Sequence, residues 1–194
     1  MQLKFISRTE FKNRENQEFI NNLKNEFGEF YLIPEGGASE YGIKGSEEIL
    51  KLTDYQSYSH ILCAIGTGTM YFCLVNSSDL TQKIIGVPVL KGMENFLEDN
   101  ISKIENTEKI VYCQIISDYH FGGYAKKNNQ LIDFINDFYQ KTNIPTDFVY
   151  TGKLAYALTD LVKKDFFPSG SKILLIHSGG LQGNLSLEES VLNF

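Results

Sequence analysis

The amino-acid sequence predicts an α/β fold in which a mainly parallel, twisted sheet is the middle of three layers, with helices on both faces. Apolar runs of strand length, rich in Ile, Val, Phe and Tyr, alternate with stretches of helical periodicity. Such alternation indicates βαβ units, whose helices cover both faces of a parallel sheet. The chain has 194 residues, of which 42% are hydrophobic, so a packed core is expected.

Six segments have the length and composition of strands, namely 3–6, 30–33, 59–65, 83–89, 109–116 and 172–177. Three apolar stripes repeat every three or four residues, as on the buried side of a helix. They consist of Phe19, Leu23 and Phe27; of Leu131, Phe134, Ile135 and Phe138; and of Leu154, Leu158, Leu161 and Val162. Further helices are predicted near 44–52, 69–77 and 93–104. Each stripe is typical of core packing rather than of a binding site.

Composition and charge argue against several classes of protein. The formal net charge of −6 disfavours a nucleic-acid partner, because such proteins usually carry a basic face. Cys63, Cys73 and Cys113 show no C-x-x-C spacing, so neither a disulfide framework nor a zinc site is predicted. The three histidines lie far apart in the sequence and predict no metal site. No apolar stretch is long enough to span a membrane, and the first eight residues contain no hydrophobic signal region. A cytoplasmic protein is therefore expected.

A glycine turn joins a predicted strand to a predicted helix. Gly66, Thr67, Gly68 and Thr69 follow the apolar run 60–65 at once and precede the helical segment. Strand, turn and helix together place free backbone N–H groups and two hydroxyls at a helix N-terminus, which is a site for an anion. A plain tight turn between strand and helix would have the same local sequence, so the turn alone does not decide.

Two common nucleotide motifs are absent from this turn. A dinucleotide fingerprint requires a third glycine three residues after Gly68, where the chain has Tyr71. A P-loop requires G-K-[ST], and this triplet does not occur, since Gly152-Lys153 is followed by Leu154. The turn therefore suits a phosphate monoester better than a pyrophosphate or a triphosphate.

A second glycine-rich turn follows the last predicted strand. The run ILLIHSGG, residues 173–180, delivers Ser178 and a double glycine to the carboxyl end of a buried strand. Open α/β sheets bind their ligands at this edge. Aromatic residues next to glycines, as at Tyr124 and Tyr150, suit a flat ring that needs close contact with the backbone. Either tyrosine alone is also typical of ordinary surface or core packing.

Five collinear motifs together resemble the 1-aminocyclopropane-1-carboxylate deaminase and D-cysteine desulfhydrase family. They are IPEGGASEYGIKG from Ile33, AIGTGT from Ala64, FGGYAKKN from Phe121, DFVYTGK from Asp147 and IHSGGLQG from Ile176. The family consists of fold-type II enzymes of the tryptophan synthase β superfamily that use pyridoxal 5′-phosphate. The resemblance implies that the chain is one α/β unit over 1–194, the later part of the family fold. Residues 1–55 would belong to the smaller domain and 56–194 to the cofactor-binding domain.

The resemblance also implies roles for individual residues. Gly66, Thr67, Gly68 and Thr69 match the turn that binds the cofactor's 5′-phosphate, and Ser178 matches the residue whose hydroxyl meets the pyridine nitrogen. Tyr124 and Tyr150 match active-site tyrosines. Thr151 and Ser178 match two positions that separate the activities. The deaminase branch has glutamate and leucine there, whereas the desulfhydrase branch has hydroxyl residues, as this chain does. The implied reaction is α,β-elimination on a small D-amino acid, which yields pyruvate, hydrogen sulfide and ammonia from D-cysteine.

The sequence departs from the family pattern in two places. Ala38 and Ser39 replace the Ser/Thr-Asn that usually follows the first double glycine. The G-N-K-x-R-K-L motif, whose lysine forms the Schiff base with the cofactor, and the following S-N-H motif do not occur. Lys44 and Lys153 match other family positions. We therefore expect a truncated lyase that lacks normal turnover alone and that forms a homodimer or associates with the missing N-terminal segment.

Two alternatives stay open. The chain could be a non-catalytic remnant that binds a phosphorylated small molecule or a partner chain. The weaker alternative is a nucleotide-binding α/β domain, against which the missing third glycine and the missing G-K-[ST] count. The sequence does not identify the substrate.

Overall fold

Four parallel strands form the sheet in the computed structural model, which describes residues 3–194. They are β1 (His60–Ile65), β2 (Lys83–Pro88), β3 (Cys113–Ile115) and β4 (Ile173–Leu175). Their order across the sheet is β3-β2-β1-β4, and every neighbouring pair is parallel. All four carboxyl ends therefore lie at one edge of the sheet.

The chain divides into two units, Met1–Pro34 and Glu35–Phe194. The first contains two helices, α1 (Arg8–Lys12) and α2 (Gln17–Phe27). The second contains the sheet and five helices, which are α3 (Glu40–Gly45), α4 (Thr69–Ser77), α5 (Phe96–Asp99), α6 (Asn129–Thr142) and α7 (Thr151–Lys163). Short 3-10 turns fill several connections. The predicted division at residues 55 and 56 stays a prediction.

Helices cover both faces of the sheet, as the alternation in the sequence predicts. Ile61, Cys63 and Ile65 of β1 pack on one face against α4, whose residues 71–75 are all buried. Leu62 points to the other face and packs against Leu154 and other residues of α7. Because side chains alternate along a strand, the continuous apolar run of β1 is buried on both sides. The predicted α/β fold with three layers is confirmed.

Hydrogen bonds of one side chain link β1 and β4, which are the first and last strands along the chain and neighbours in the sheet. Ser59 Oγ donates to the Lys172 carbonyl at 3.0 Å and accepts from the Lys172 N–H at 3.0 Å, across 113 positions of sequence. This contact lies at the amino ends of β1 and β4. The strands pair directly through only three residues of β4, in the register His60 to Ile173.

Two predicted strands are wrong. Residues 3–6 and 30–33 have no regular structure, and Ile33 is 73% exposed. Short apolar runs read as strands only if a neighbouring strand can pair with their backbone, and none pairs here. The predicted strand 109–116 is reduced to β3, since residues Thr107–Tyr112 form a 3-10 helix.

Helix predictions were more accurate. The three apolar stripes lie on α2, α6 and α7, and the segment after the glycine turn is α4. The predicted helices near 44–52 and 93–104 are broken into α3, α5 and 3-10 turns. No helix within residues 3–194 is long and apolar enough to cross a membrane. Over that same range, no group of three or more His, Cys, Asp and Glu side chains is placed to hold a metal ion.

Candidate cofactor site

The turn from Gly66 to Thr69 lies at the carboxyl end of β1 and begins α4. Gly68 is the N-cap residue and has a φ of +90°, a left-handed conformation that side chains disfavour. A Cβ at Gly68 would also lie 2.4 Å from Cζ of Phe96. Because the first N–H groups of a helix have no partner inside it, this turn presents donors with a positive helix dipole behind them.

A second glycine segment supports this turn. Thr69 Oγ1 donates to the Gly36 carbonyl at 2.8 Å and lies 3.2 Å from Thr67 Oγ1. Gly36 has a φ of +62°, and a Cβ there would lie 2.4 Å from Thr67 Oγ1. Only glycine permits this approach. The motif that begins at Ile33 therefore contributes to the site through its backbone.

The turn after β4 lies beside the turn after β1, because the two strands are neighbours. Ser178 is exposed, and Gly179 and Gly180 both have positive φ. His177 holds this segment in place. Its Nδ1 accepts the Gly179 N–H at 3.1 Å, so its Nε2 carries the proton and donates to the Pro145 carbonyl at 2.9 Å. Both ring nitrogens of His177 are thus bound within the protein, and the residue holds the backbone after β4.

Two tyrosines approach each other across the site. The rings of Tyr124 and Tyr150 have centroids 6.0 Å apart and meet edge to face at 73°. Tyr150 is half-buried and immediately precedes α7, whereas Tyr124 is 56% exposed. Burial raises the pKa of Tyr150, and the neighbouring Tyr124 hydroxyl raises that pKa further. Tyr150 therefore carries its proton at neutral pH.

Asp147 organises the start of α7. Its carboxylate is buried and accepts the N–H groups of Val149 at 2.8 Å, Tyr150 at 3.0 Å and Thr151 at 2.8 Å. Thr151 Oγ1 also donates to it at 2.9 Å. The bond to Thr151 satisfies a donor that the start of α7 leaves unpaired, and the bonds to Val149 and Tyr150 hold the segment that leads into the helix. Asp147 thereby fixes the backbone that carries Tyr150.

These segments enclose one cleft of about 530 Å³. It lies between the carboxyl ends of β1 and β4, with α4 on one face of the sheet and α7 on the other. This is the point where the strand order reverses and where α/β sheets bind ligands. Of the predicted site residues, seven line it: Gly66, Thr67, Gly68, Thr69, Tyr124, Tyr150 and Ser178.

Thr151 does not line the cleft with the other seven. It is buried, with 1% of its surface exposed, and its hydroxyl is bound to Asp147. The structure therefore places Thr151 one step behind the cleft wall, next to Tyr150. Any influence of Thr151 on a ligand passes through Asp147 or Tyr150.

Neither of the two lysines named from the sequence reaches the cleft. Lys44 is exposed on α3 and pairs with Glu40 at 2.6 Å. Lys153 is completely buried in α7, and its Nζ is bound by backbone carbonyls. Among the described residues that line the cleft, none is a lysine.

Curated relatives of this chain carry two related names. A protein of Pyrococcus horikoshii named "Putative 1-aminocyclopropane-1-carboxylate deaminase" is 30% identical over 190 residues, covering 91% of this chain and 57% of that protein. The "Bifunctional D-cysteine desulfhydrase/1-aminocyclopropane-1-carboxylate deaminase, mitochondrial" of Arabidopsis thaliana is 27% identical, covering 92% of this chain and 49% of that protein. No protein-family model matches the chain.

Solved structures agree with these relatives. The crystal structure of an ACC deaminase homologue superposes with a TM-score of 0.70 at 27% identity, covering 94% of this chain and 59% of that one. O-ureido-L-serine synthase superposes with a TM-score of 0.56 at 10% identity, covering 90% of this chain and 58% of that one, and shows the fold alone. This chain belongs to the 1-aminocyclopropane-1-carboxylate deaminase and D-cysteine desulfhydrase family. It spans about half to three fifths of the length of the relatives described here.

Pyridoxal 5′-phosphate, the cofactor that this family implies, is compatible with the side chains of the cleft. The N–H donors of the Gly66 to Thr69 turn suit a phosphate, and the Ser178 hydroxyl suits a ring nitrogen. A Cβ at Gly66 would come within 3.1 Å of Tyr150 Cε1 and would narrow the cleft. The fit concerns the phosphate and the ring, since the described lining residues include no amine for covalent attachment.

Sequence reasoning missed two residues that line the cleft of this family member, Asp147 and Gly36, and the burial of Lys153. Asp147 carried a usable signal, because an acidic residue shortly before an apolar helical stripe is typical of a helix cap. Gly36 belongs to a quoted motif, but its contact with Thr69 joins positions 33 residues apart. Lys153 gave no such signal, since nothing in a local sequence shows that a lysine will be buried.

Proposed function

We propose that this chain binds pyridoxal 5′-phosphate in the cleft between β1 and β4 and forms the cofactor-binding part of a deaminase or desulfhydrase of small amino acids. One observation carries the proposal most strongly. The Gly66 to Thr69 turn and Ser178 come from distant parts of the sequence, yet they line one cleft at the switch point of the sheet.

In this proposal each group of residues has a separate task. The N–H groups at the start of α4 bind the phosphate, and Thr67 adds a hydroxyl. Ser178 meets the ring nitrogen with a neutral hydroxyl, which leaves that nitrogen largely unprotonated. When bound, pyridoxal 5′-phosphate supplies an electron sink for the carbon that loses its proton. The neutral hydroxyl of Tyr150, at the cleft wall, holds a proton where a small substrate would lie.

Thr151 and Ser178 support the desulfhydrase branch of the family. Hydroxyl residues at both positions match that branch, and Thr151 Oγ1 is already committed to Asp147. A glutamate at position 151 would place a second carboxylate beside Asp147, where like charges repel. We therefore propose D-cysteine as a better substrate for the assembled enzyme than 1-aminocyclopropane-1-carboxylate.

Binding is tested by titrating the purified chain with pyridoxal 5′-phosphate and with pyridoxal, which lacks the phosphate. We expect pyridoxal 5′-phosphate to bind at least tenfold more tightly, a factor that corresponds to about 1.4 kcal/mol. Thr67→Val should weaken binding, while Thr107→Val, an exposed threonine outside the cleft, should not. Equal affinity for the two ligands would contradict a phosphate site in the turn.

Catalysis is tested separately, by pyruvate release from D-cysteine and ammonia release from 1-aminocyclopropane-1-carboxylate. Borohydride reduction followed by peptide mapping would identify any lysine that reacts with the cofactor. We expect no reduced lysine and no robust turnover from this chain alone, because the described lining residues include no lysine. Turnover together with a mapped lysine would contradict this expectation.

A second candidate follows from the same observation. A cleft that binds a phosphorylated ring compound but offers no lining lysine also suits a non-catalytic binding protein. Tight, fully reversible binding of pyridoxal 5′-phosphate would favour it if turnover stays absent when the N-terminal part of a family member is supplied. Turnover restored by that part would favour the enzyme.

A further inference from the structure

Lys153 is a buried cation behind the wall of the cleft. Its side chain is fully buried, and Nζ donates to the carbonyl oxygens of Gly123 at 2.7 Å and His120 at 2.8 Å. The carbonyl oxygen of Val89 lies at 3.5 Å. Burying an amine without exposure to water is costly, so these acceptors must offset the lost hydration. These bonds tie α7, which carries Lys153, to the segments that contain the three carbonyl groups.

The loop that Lys153 binds has an unusual backbone. Phe121 and Ala125 have φ values of +52° and +51° although neither is glycine, and Gly122 and Gly123 have φ values of +95° and +118°. Residues with side chains persist in this region only when their surroundings hold them there. Lys153 binds the carbonyl of Gly123, which lies within this stretch, and that of His120, which directly precedes it.

The bonds of Lys153 connect the loop that carries Tyr124 to the helix that follows Tyr150. Tyr124 directly follows Gly123, and Lys153 is the third residue of the helix that Tyr150 precedes. The backbone N–H of Tyr150 itself donates to the Asp147 carboxylate. We propose that Lys153 is a positioning residue that sets Tyr124 against Tyr150 by clamping the 120–125 loop to the start of α7.

This inference deepens the proposed function, because it concerns how two tyrosines of the same cleft are arranged. It does not require the cofactor to be bound. Lys153 does not touch the cleft, so it acts only through Tyr124. If the clamp is removed, the loop should relax, Tyr124 should withdraw, and Tyr150 should lose both its edge-to-face contact with Tyr124 and part of its shielding.

The test measures the titration of Tyr150 by NMR of the protein labelled at tyrosine Cζ, with signals assigned through Tyr150→Phe and Tyr124→Phe. Lys153→Met is compared with Lys163→Met, which removes an exposed lysine from the same helix. In Lys153→Met we expect Tyr150 to titrate at lower pH than in the unchanged protein, since burial and Tyr124 both raise its pKa. Lys163→Met should leave the titration unchanged.

A second readout is affinity for pyridoxal 5′-phosphate, which should fall by roughly three- to tenfold in Lys153→Met, the loss of about one hydrogen bond. If the titration shifts but the unchanged protein does not bind the cofactor, the proposed function fails and the positioning role stands. A folded Lys153→Met with an unchanged Tyr150 titration would overturn the positioning role. Lys153→Gln, which keeps one donor group, replaces the methionine variant if the latter does not fold, and failure of both to fold would assign Lys153 to folding instead.

Discussion

Gly66 lies where one methyl group would change the cleft without disturbing the core. Its added Cβ would lie 3.1 Å from Cε1 and 3.3 Å from the hydroxyl of Tyr150, so that ring would have to shift by a few tenths of an ångström. We expect Gly66→Ala to weaken binding of pyridoxal 5′-phosphate by about tenfold, measured by fluorescence titration. The free energy of unfolding should change by less than about 1 kcal/mol, because Tyr150 is only half-buried and can move.

The matched control for this substitution is Gly45→Ala, at the end of α3. A Cβ at Gly45 would meet nothing within 4 Å, so binding should not change. Equal affinities of the two variants would show that the space beside Tyr150 is not used by the ligand.

Lys153 should also give the protein a specific pH dependence. Burial lowers the pKa of Lys153 from 10.5 to about 8. Between these pH values the unfolded chain holds a proton that the folded chain has lost, so rising pH favours the folded state. Relative to Lys153→Met, the free energy of unfolding should increase by up to about 1.4 kcal/mol per pH unit in this window.

Urea denaturation from pH 7 to 10.5 measures this difference. Below pH 8 both states carry the proton, so the difference should level off there. Lys163→Met should show no such window, since its amine is exposed. A constant difference between the unchanged protein and Lys153→Met over the whole range would mean that the carbonyl oxygens around Nζ compensate for burial.

For single residues, the sequence identified those that belong to a short recognisable motif. It did not identify those whose environment depends on contacts between distant segments. The Gly66 to Thr69 turn, Ser178 and both tyrosines were named from the sequence, and all line the cleft. Their roles in binding and catalysis stay predictions. The burial of Lys153 and the four bonds of Asp147 arise from contacts that local patterns do not encode.

Among the elements, α7 depends most on a single capping residue. Asp147 accepts the N–H and the hydroxyl of Thr151, the first residue of this helix, and the N–H groups of Val149 and Tyr150, which lead into it. Asp147→Asn replaces one acceptor oxygen with an NH2 group that faces donors, so we expect a loss of about 1–3 kcal/mol in the free energy of unfolding. Denaturant titration measures it, with the exposed Asp133→Asn of α6 as the control. Equal stability of the two variants would contradict the capping role.

Elements could be predicted where the pattern was long and failed where it was short. Helices α2, α6 and α7 each carry an apolar stripe that spans about two turns, and β1 and β2 are six-residue strands made mostly of apolar residues. Residues 3–6 and 30–33 have the composition of strands but no partner in the sheet. Pairing between distant segments is decided by the whole fold, so four-residue patterns do not reveal it.

On the scale of the whole molecule, every residue described as lining the cleft belongs to the unit Glu35–Phe194. This unit also contains the whole sheet and its buried core. We expect a protein of residues 35–194 to bind pyridoxal 5′-phosphate with an affinity within about twofold of the full chain. Circular dichroism would establish that it is folded, and fluorescence titration would measure the affinity. A folded protein of residues 35–194 with a large loss of affinity would show that residues 1–34 contribute to the site.

A ligand in the cleft would also affect how firmly β4 is held against β1. These two strands are distant in sequence, pair through three residues of β4, and are clasped at their amino ends by Ser59 and Lys172. At the opposite ends, the Gly66 turn and Ser178 both line the cleft. A ligand there would act as a second fastener, so occupancy should slow hydrogen exchange of the β4 amides more than that of β2. Strand β4 would then reach its full stability only when the ligand is bound.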